Sequence, residues 1–99
     1  MKPIYLQVMG KDPAVKVLHY FLKYRGLRIS VNDVVKNCLL ISAMAKKCLS
    51  YYEDKGMIIR TGKKYYSLNE ESEEVKAEIR FYNNLLVYQT EQLTELKKR

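Results

Sequence analysis

One histidine and two cysteines occur among the 99 residues, and that scarcity closes off most metal chemistry. A structural zinc site wants four ligands in closely spaced pairs, whereas Cys38 and Cys48 stand far apart with no second pair. Both fall on apolar helical faces and read as small core residues, reduced in a cytosol. There is no histidine-centred cluster, glycine-rich phosphate loop, nucleophile motif or convincing carboxylate pair, so neither an enzyme nor a cofactor-binding protein is expected. His19, three residues after Lys16, is placed toward the polar side of its helix as an exposed residue. No apolar run approaches the ~20 residues that a membrane span requires. The first residues show neither the long apolar stretch nor the small-residue cleavage site of a secretory leader. A globular, cytoplasmic protein without membrane partners is expected.

Acidic residues are also scarce over most of the chain. Residues 1–69 hold 13 Lys/Arg against 4 Asp/Glu, whereas residues 70–99 hold 5 against 7, so the net charge of +7 is a basic body joined to an acidic segment. That division suggests a polyanion-binding domain with a separate element for another task. The alternative is the solvated surface of a lysine-rich protein. A chain of this size is one domain that hides roughly 60–65% of its unfolded surface, enough for a modest core.

The stretch from Ser42 to Leu68 organises what is present. Ala45, Cys48, Leu49 and Tyr52 recur at i, i+3, i+4, i+7, the spacing of one buried helical face, while Lys46, Lys47 and Ser50 point elsewhere. Gly56 ends the helix, Met57-Ile58-Ile59 forms a strand, Thr61-Gly62-Lys63-Lys64 a tight turn, and Tyr65-Tyr66-Ser67-Leu68 the return strand. Upstream, Asp12-Pro13 starts a helix with Ala14, Val17, Leu18 and Phe21 inward, stopped by Gly26. Leu27-Arg28-Ile29 is a short strand. Ser30 with Asp33 resembles a capping box for a second helix whose Val31, Val34, Val35 and Cys38 face inward. Ser42 is the plausible cap of the third helix. Residues 1–10 read as an N-terminal arm or short strand, residues 11–69 as the domain, and residues 70–99 as one long helix.

The pattern DVVKNCLLI…AxxCLSYYEDKGMIIRTGKKYYSLNEE resembles the winged helix-turn-helix of small bacterial and archaeal transcription regulators, the MarR, PadR and ArsR types and their relatives among archaeal viruses and plasmids. The resemblance covers about residues 12–70. It implies a mainly α fold with a small β-hairpin (α+β), a recognition helix, and a C-terminal helix that pairs two subunits. Two positions depart from the pattern. Leu39 stands where the turn between the helices usually carries glycine or a small residue. Ala43 and Met44 stand where the recognition helix usually offers polar side chains; neither makes a consequential hydrogen bond to a base edge, although both can touch a thymine methyl.

Within the last segment Asn69 is read as the cap, with Glu70, Glu71, Glu73 and Glu74 at the helix start and Lys97-Lys98-Arg99 at its end, matching the helix dipole. Val75, Ile79, Tyr82, Leu86, Gln89, Leu93 and Leu96 step by fours and threes, a heptad seam with one polar position. About 28 residues of helix would span roughly 42 Å, longer than so small a domain covers alone. A homodimer through this seam is expected; the alternative is that the helix folds back over its own domain. Phe81, Leu85 and Tyr88 widen the apolar face.

For double-stranded DNA, Lys46 and Lys47 are expected to reach phosphates or guanine edges, with Ser42, Ser50 and Tyr51 as neutral donors and Ala43 and Met44 at the front of the helix. Arg60, Lys63 and Lys64 are expected together at the hairpin tip, and Arg28 and Lys36 as outer phosphate contacts. The competing expectations are a winged-helix protein-interaction module and a non-specific architectural DNA-binding protein. Among nine tyrosines, Tyr51 and Tyr65 are the ones not assigned to packing. No residue announces a small-molecule effector site.

Overall fold

A computed structural model describes the backbone of residues 12–98 and the side chains of residues 12–93. The N-terminal segment expected over residues 1–10 lies outside the described residues, as does the side chain of Leu96. The described chain is mixed α+β: α1 (Pro13–Lys23), β1 (Ile29–Ser30), α2 (Val31–Cys38), α3 (Ser42–Asp54), β2 (Ile58–Thr61), β3 (Tyr65–Leu68) and α4 (Glu73–Lys98). The three strands form one antiparallel sheet in the order β1-β3-β2. Among the described residues no helix is long and apolar enough to cross a membrane.

The Asp12 carboxylate accepts from the Ala14 N–H at 2.9 Å, and Pro13 occupies the first helical position, where a missing N–H costs nothing. α1 then buries Val17, Leu18, Phe21 and Leu22. The capping box at α2 is complete: Ser30 Oγ accepts from the Asp33 N–H at 3.2 Å, and the Asp33 carboxylate accepts from the Ser30 N–H at 2.9 Å. β1 is shorter than the expected Leu27–Ile29, starting two residues later and ending one later, because Ile29 and Ser30 are the residues that pair with Tyr66 and Tyr65 of β3.

α2 ends on Leu39 in the left-handed region, φ 55° and ψ 51°, with its side chain 84% exposed. The Leu39 and Leu40 N–H groups both turn back to the Val35 carbonyl, which requires that conformation. Ser42 is the first helical residue of α3 rather than its cap. The capping position falls on Ile41, which offers no side-chain hydrogen bond. α3 seats Ala45, Cys48, Leu49 and Tyr52 in the core, and Gly56, at φ +74°, releases the chain into β2. The hairpin turns through Gly62-Lys63-Lys64, with Gly62 at φ +76° and Thr61 opposite Tyr65.

Asn69 is not the cap of α4. Its amide donates to the Gly56 carbonyl at 2.8 Å and its N–H to the Met57 carbonyl at 2.9 Å, so it ties the hairpin's exit to the end of α3. Ser72 takes the capping role, its Oγ accepting from the Val75 N–H at 3.4 Å. The 26-residue α4 runs about 39 Å, and α1 is the helix it packs on. Val75 and Tyr82, expected at a subunit seam, are buried in the domain's own core, with Ile79, Phe81 and Leu85 packed against it. The first half of α4 therefore folds back over its own domain. Beyond it Leu86, Val87, Tyr88 and Leu93 are exposed, and Gln89 is half-buried.

α4 also reverses the expectation for His19. The imidazole is buried and meets the Tyr82 ring edge-on at a centroid distance of 5.7 Å. Burial, and then the nearby Lys23 charge, hold its pKa below 6.5.

Two outcomes follow from this packing. Leu39→Gly removes the strain of a left-handed leucine, worth about 1–2 kcal/mol, against the greater backbone freedom of unfolded glycine. Denaturant unfolding should show a net gain of about 0.5–1 kcal/mol. Folding favours neutral His19, so its contribution is intact above pH 6.5 and lost as pH falls through the lowered folded value. The urea midpoint should fall between pH 7 and pH 5, and His19→Gln should flatten that slope.

Candidate nucleic-acid interface

With Ala45, Cys48, Leu49 and Tyr52 inward, helical geometry puts Ala43, Lys47 and Ser50 on the opposite face of α3. Ser42, Ala43, Met44, Lys46, Lys47, Ser50 and Tyr51 are all exposed. The Tyr52 hydroxyl holds this orientation by donating to the Ala14 carbonyl; burial raises its pKa, so the donor proton is retained.

The two lysines at the middle of α3 diverge by about 100° around its axis. Lys46 lies on the stripe that carries Glu53 two turns later, and Glu53 faces β2. Lys47 lies with Met44 and Tyr51 along a shallow, mostly apolar groove against Asp12, Pro13 and Ala14 at the start of α1. Tyr51 is itself engaged: Lys55 Nζ donates to its hydroxyl at 3.3 Å and sits 5.1 Å from its ring centroid, with Glu74 3.5 Å from the same ammonium. The Tyr51 hydrogen bond, then the Glu74 charge, raise the Lys55 pKa.

Arg60 is not at the hairpin tip. Its guanidinium donates from Nε and from a terminal nitrogen to both Glu53 carboxylate oxygens, each at 3.3 Å, and stacks 5.2 Å from the Tyr66 centroid. It clamps β2 to the flank of α3, and the Glu53 hydrogen bond is the main cause of its raised pKa. Lys63 and Lys64 do lie at the tip, beside Ser30, Val31 and Asn32 at the start of α2. Arg28 stacks 5.4 Å from the centroid of exposed Tyr65 on β3. Lys36 stands on the exposed side of α2, and no described contact joins it to α3 or to the hairpin.

The charge pattern separates these groups. Among the described residues no carboxylate comes within 4 Å of Arg28, Lys36, Lys46, Lys47, Lys63 or Lys64, whereas Lys55, Arg60 and Lys76 each have one. Lys36 on α2, Lys46 and Lys47 on α3, Arg28 ahead of β1 and Lys63 and Lys64 in the hairpin turn are therefore open to a polyanion, as are Lys16, Lys23 and Arg25 on and after α1.

Apolar exposure was the feature missed from sequence. Ile41 is 72% exposed directly ahead of α3, and the signal was an aliphatic residue at a capping position. A cleft of about 340 Å³ between α1 and the end of α2, lined by Lys16, His19, Tyr20, Lys23, Tyr24 and Asn37 among others, was likewise unread, although its α1 residues recur at helical spacing. Among the described residues no three His, Cys, Asp or Glu side chains are placed to hold a metal ion. Burial pushes the Cys38 thiol up to about 11 and raises that of Cys48, which keeps both protonated in the core. No family model, curated protein or solved structure matches the chain.

Glu53→Gln tests the clamp. The pair is exposed, so unfolding should change by less than about 1 kcal/mol. Loss of the one carboxylate facing Arg60 should raise the NaCl concentration needed to elute the protein from immobilised heparin.

Proposed function

We propose that the chain is a winged helix-turn-helix DNA-binding protein, working as a homodimer and most simply a transcriptional regulator. α3 would enter a major groove, and the β2–β3 turn would follow the flanking backbone. The observation that carries this reading is the unpaired cation set on one side of a buried-face helix and on its adjoining hairpin. Lys46 and Lys47 straddle the outward face of α3, so one can serve each wall of a groove. Arg60, braced by Glu53, keeps β2 and its turn fixed against that helix. Self-association would use the outer half of α4, where Leu86, Tyr88 and Leu93 are exposed, with Val75 and Tyr82 left in the monomer core.

A second reading rests on the same exposed stripe of α4: a protein-interaction module whose partner is a different chain. The triple variant Lys46→Ala, Lys63→Ala, Lys64→Ala separates the two, because an interaction module keeps its partner and a DNA binder loses most of its affinity. For a dimer neutralising six to ten phosphates, the wild-type affinity should fall about 10³–10⁵-fold between 50 and 200 mM salt, measured by fluorescence anisotropy on duplex DNA. Salt-independent binding, or a triple variant equal to wild type, would refute the DNA reading. Excess random competitor DNA then distinguishes a regulator from an architectural protein, since only the regulator retains its preferred site.

A further inference from the structure

The front of α3 carries a crest of apolar side chains in water. Leu39 is 84% exposed, Ile41 72% and Met44 37%, and Ala43 is exposed between them. Surface hydrophobes scattered singly need no explanation; these fall within six consecutive residues, Leu39 at the edge of the α1 cleft and Ile41 to Met44 at the leading end of α3. Only Ser42 among residues 39–44 offers a polar side chain. Charge indicates what covers them. From Val34 to Tyr52 the sequence contains Lys36, Lys46 and Lys47 and no Asp or Glu; Asp12, committed to the α1 cap, lies across the groove from Met44 and Lys47, and the balance of charge around the crest is positive. A polyanion is drawn to such a surface. Within a DNA major groove the one apolar feature on a base edge is the C5 methyl of thymine.

We infer that the apolar front of α3 reads thymine through its methyl groups, and that the preferred duplex is rich in A·T pairs; this rests on the DNA-binding reading above. Ala43 is on the outward face of the first turn of α3, Met44 flanks it on the side of α1, and Ile41 precedes them at the capping position. A serine or asparagine at position 41 would fold back onto the first-turn amides. Isoleucine leaves those N–H groups uncapped by any side chain, open to a phosphate oxygen while its own side chain meets the base edge. Lys46 and Lys47 then hold the backbone on either side and carry no sequence information. Specificity in this arrangement comes from fit and desolvation, with few hydrogen bonds to bases.

Deoxyuridine in place of thymidine removes the methyl and leaves every hydrogen-bonding group of the base pair. Affinities of the wild-type protein for an A·T duplex, its deoxyuridine counterpart and a G·C duplex of equal length should be measured at one salt concentration. Burial of one methyl corresponds to about 4-fold in affinity, so two or three contacted methyls give about 15- to 60-fold weaker binding to the deoxyuridine duplex. Ile41→Ser combined with Met44→Gln, both exposed sites, should bind the thymidine and deoxyuridine duplexes alike while circular dichroism shows the fold intact. Equal wild-type affinity for the two duplexes overturns the inference and leaves the DNA-binding reading standing. A thymidine preference that persists in the double variant also overturns it, because DNA shape would then be what is read. Loss of self-association in the double variant, with the preference unchanged, assigns the crest to a contact between copies and overturns it too. Absence of binding to all three duplexes removes the inference together with the reading beneath it.

Discussion

The burial of one face of α3 is the constraint from which the rest of the architecture follows. Ala45 is fully buried and Leu49 nearly so, and the small Ala45 and Cys48 side chains let α3 sit closely between α1 and α2. The Tyr52 hydroxyl locks the helix in rotation by its bond to the Ala14 carbonyl. A helix fixed on one side has its other side determined. Ala43, Lys47 and Ser50 must face outward, Lys46 must lie toward β2, and Met44 and Tyr51 must lie toward the start of α1. The hairpin inherits its position from the same seat, because Met57 and Ile58 enter the core immediately after α3 and Arg60 reaches back to Glu53. Asn69 fastens the far end of the hairpin to Gly56. A cavity cut under α3 would therefore disturb both of the elements proposed to touch DNA.

Much of this was legible in the residues, and the exceptions share a cause. Local signals with a single reading held: the Ser30–Asp33 box, the Gly56 stop, the glycine turn of the hairpin, and the inward stripe of α3. Signals with two structural solutions were harder. Ser42 and Ile41 are adjacent, and the capping position fell on the residue without a hydroxyl because α3 begins one residue earlier. Asn69 and Ser72 both offer oxygens to free amides; Asn69 Oδ1 accepts from the Glu71 N–H, ahead of the helix, while its NH2 holds Gly56, and Ser72 stands at the helix start. The heptad steps from Val75 to Leu96 describe an apolar stripe without stating whose core it faces. Val75 and Tyr82 join the domain's own core, and Tyr82 meets His19 of α1, whose burial its lysine neighbours did not suggest. Arg60 was grouped with Lys63 and Lys64 by sequence proximity, yet strand alternation turns it onto Tyr66 and Glu53.

Electrostatics and apolar exposure coincide on α3 in a way that composition alone does not display. The basic body is uneven within itself: its few acids include Asp33, committed to the α2 cap, and Glu53, committed to Arg60. What remains around the front of α3 is Lys46, Lys47 and apolar side chains, with Asp12, held by the α1 cap, across the groove from Met44. That combination suits a partner that is anionic on its rims and carries methyl groups at its centre.

The central claim, that α3 and the hairpin meet DNA from one surface, is tested most directly by amide NMR of the full chain titrated with duplex DNA. The account predicts that the largest shifts fall on residues 41–51 and 60–65, with the α1 cleft around His19 and the outer half of α4 unmoved. Shifts concentrated on α4 or on the α1 cleft, or shifts on α3 with none on the hairpin, would contradict it.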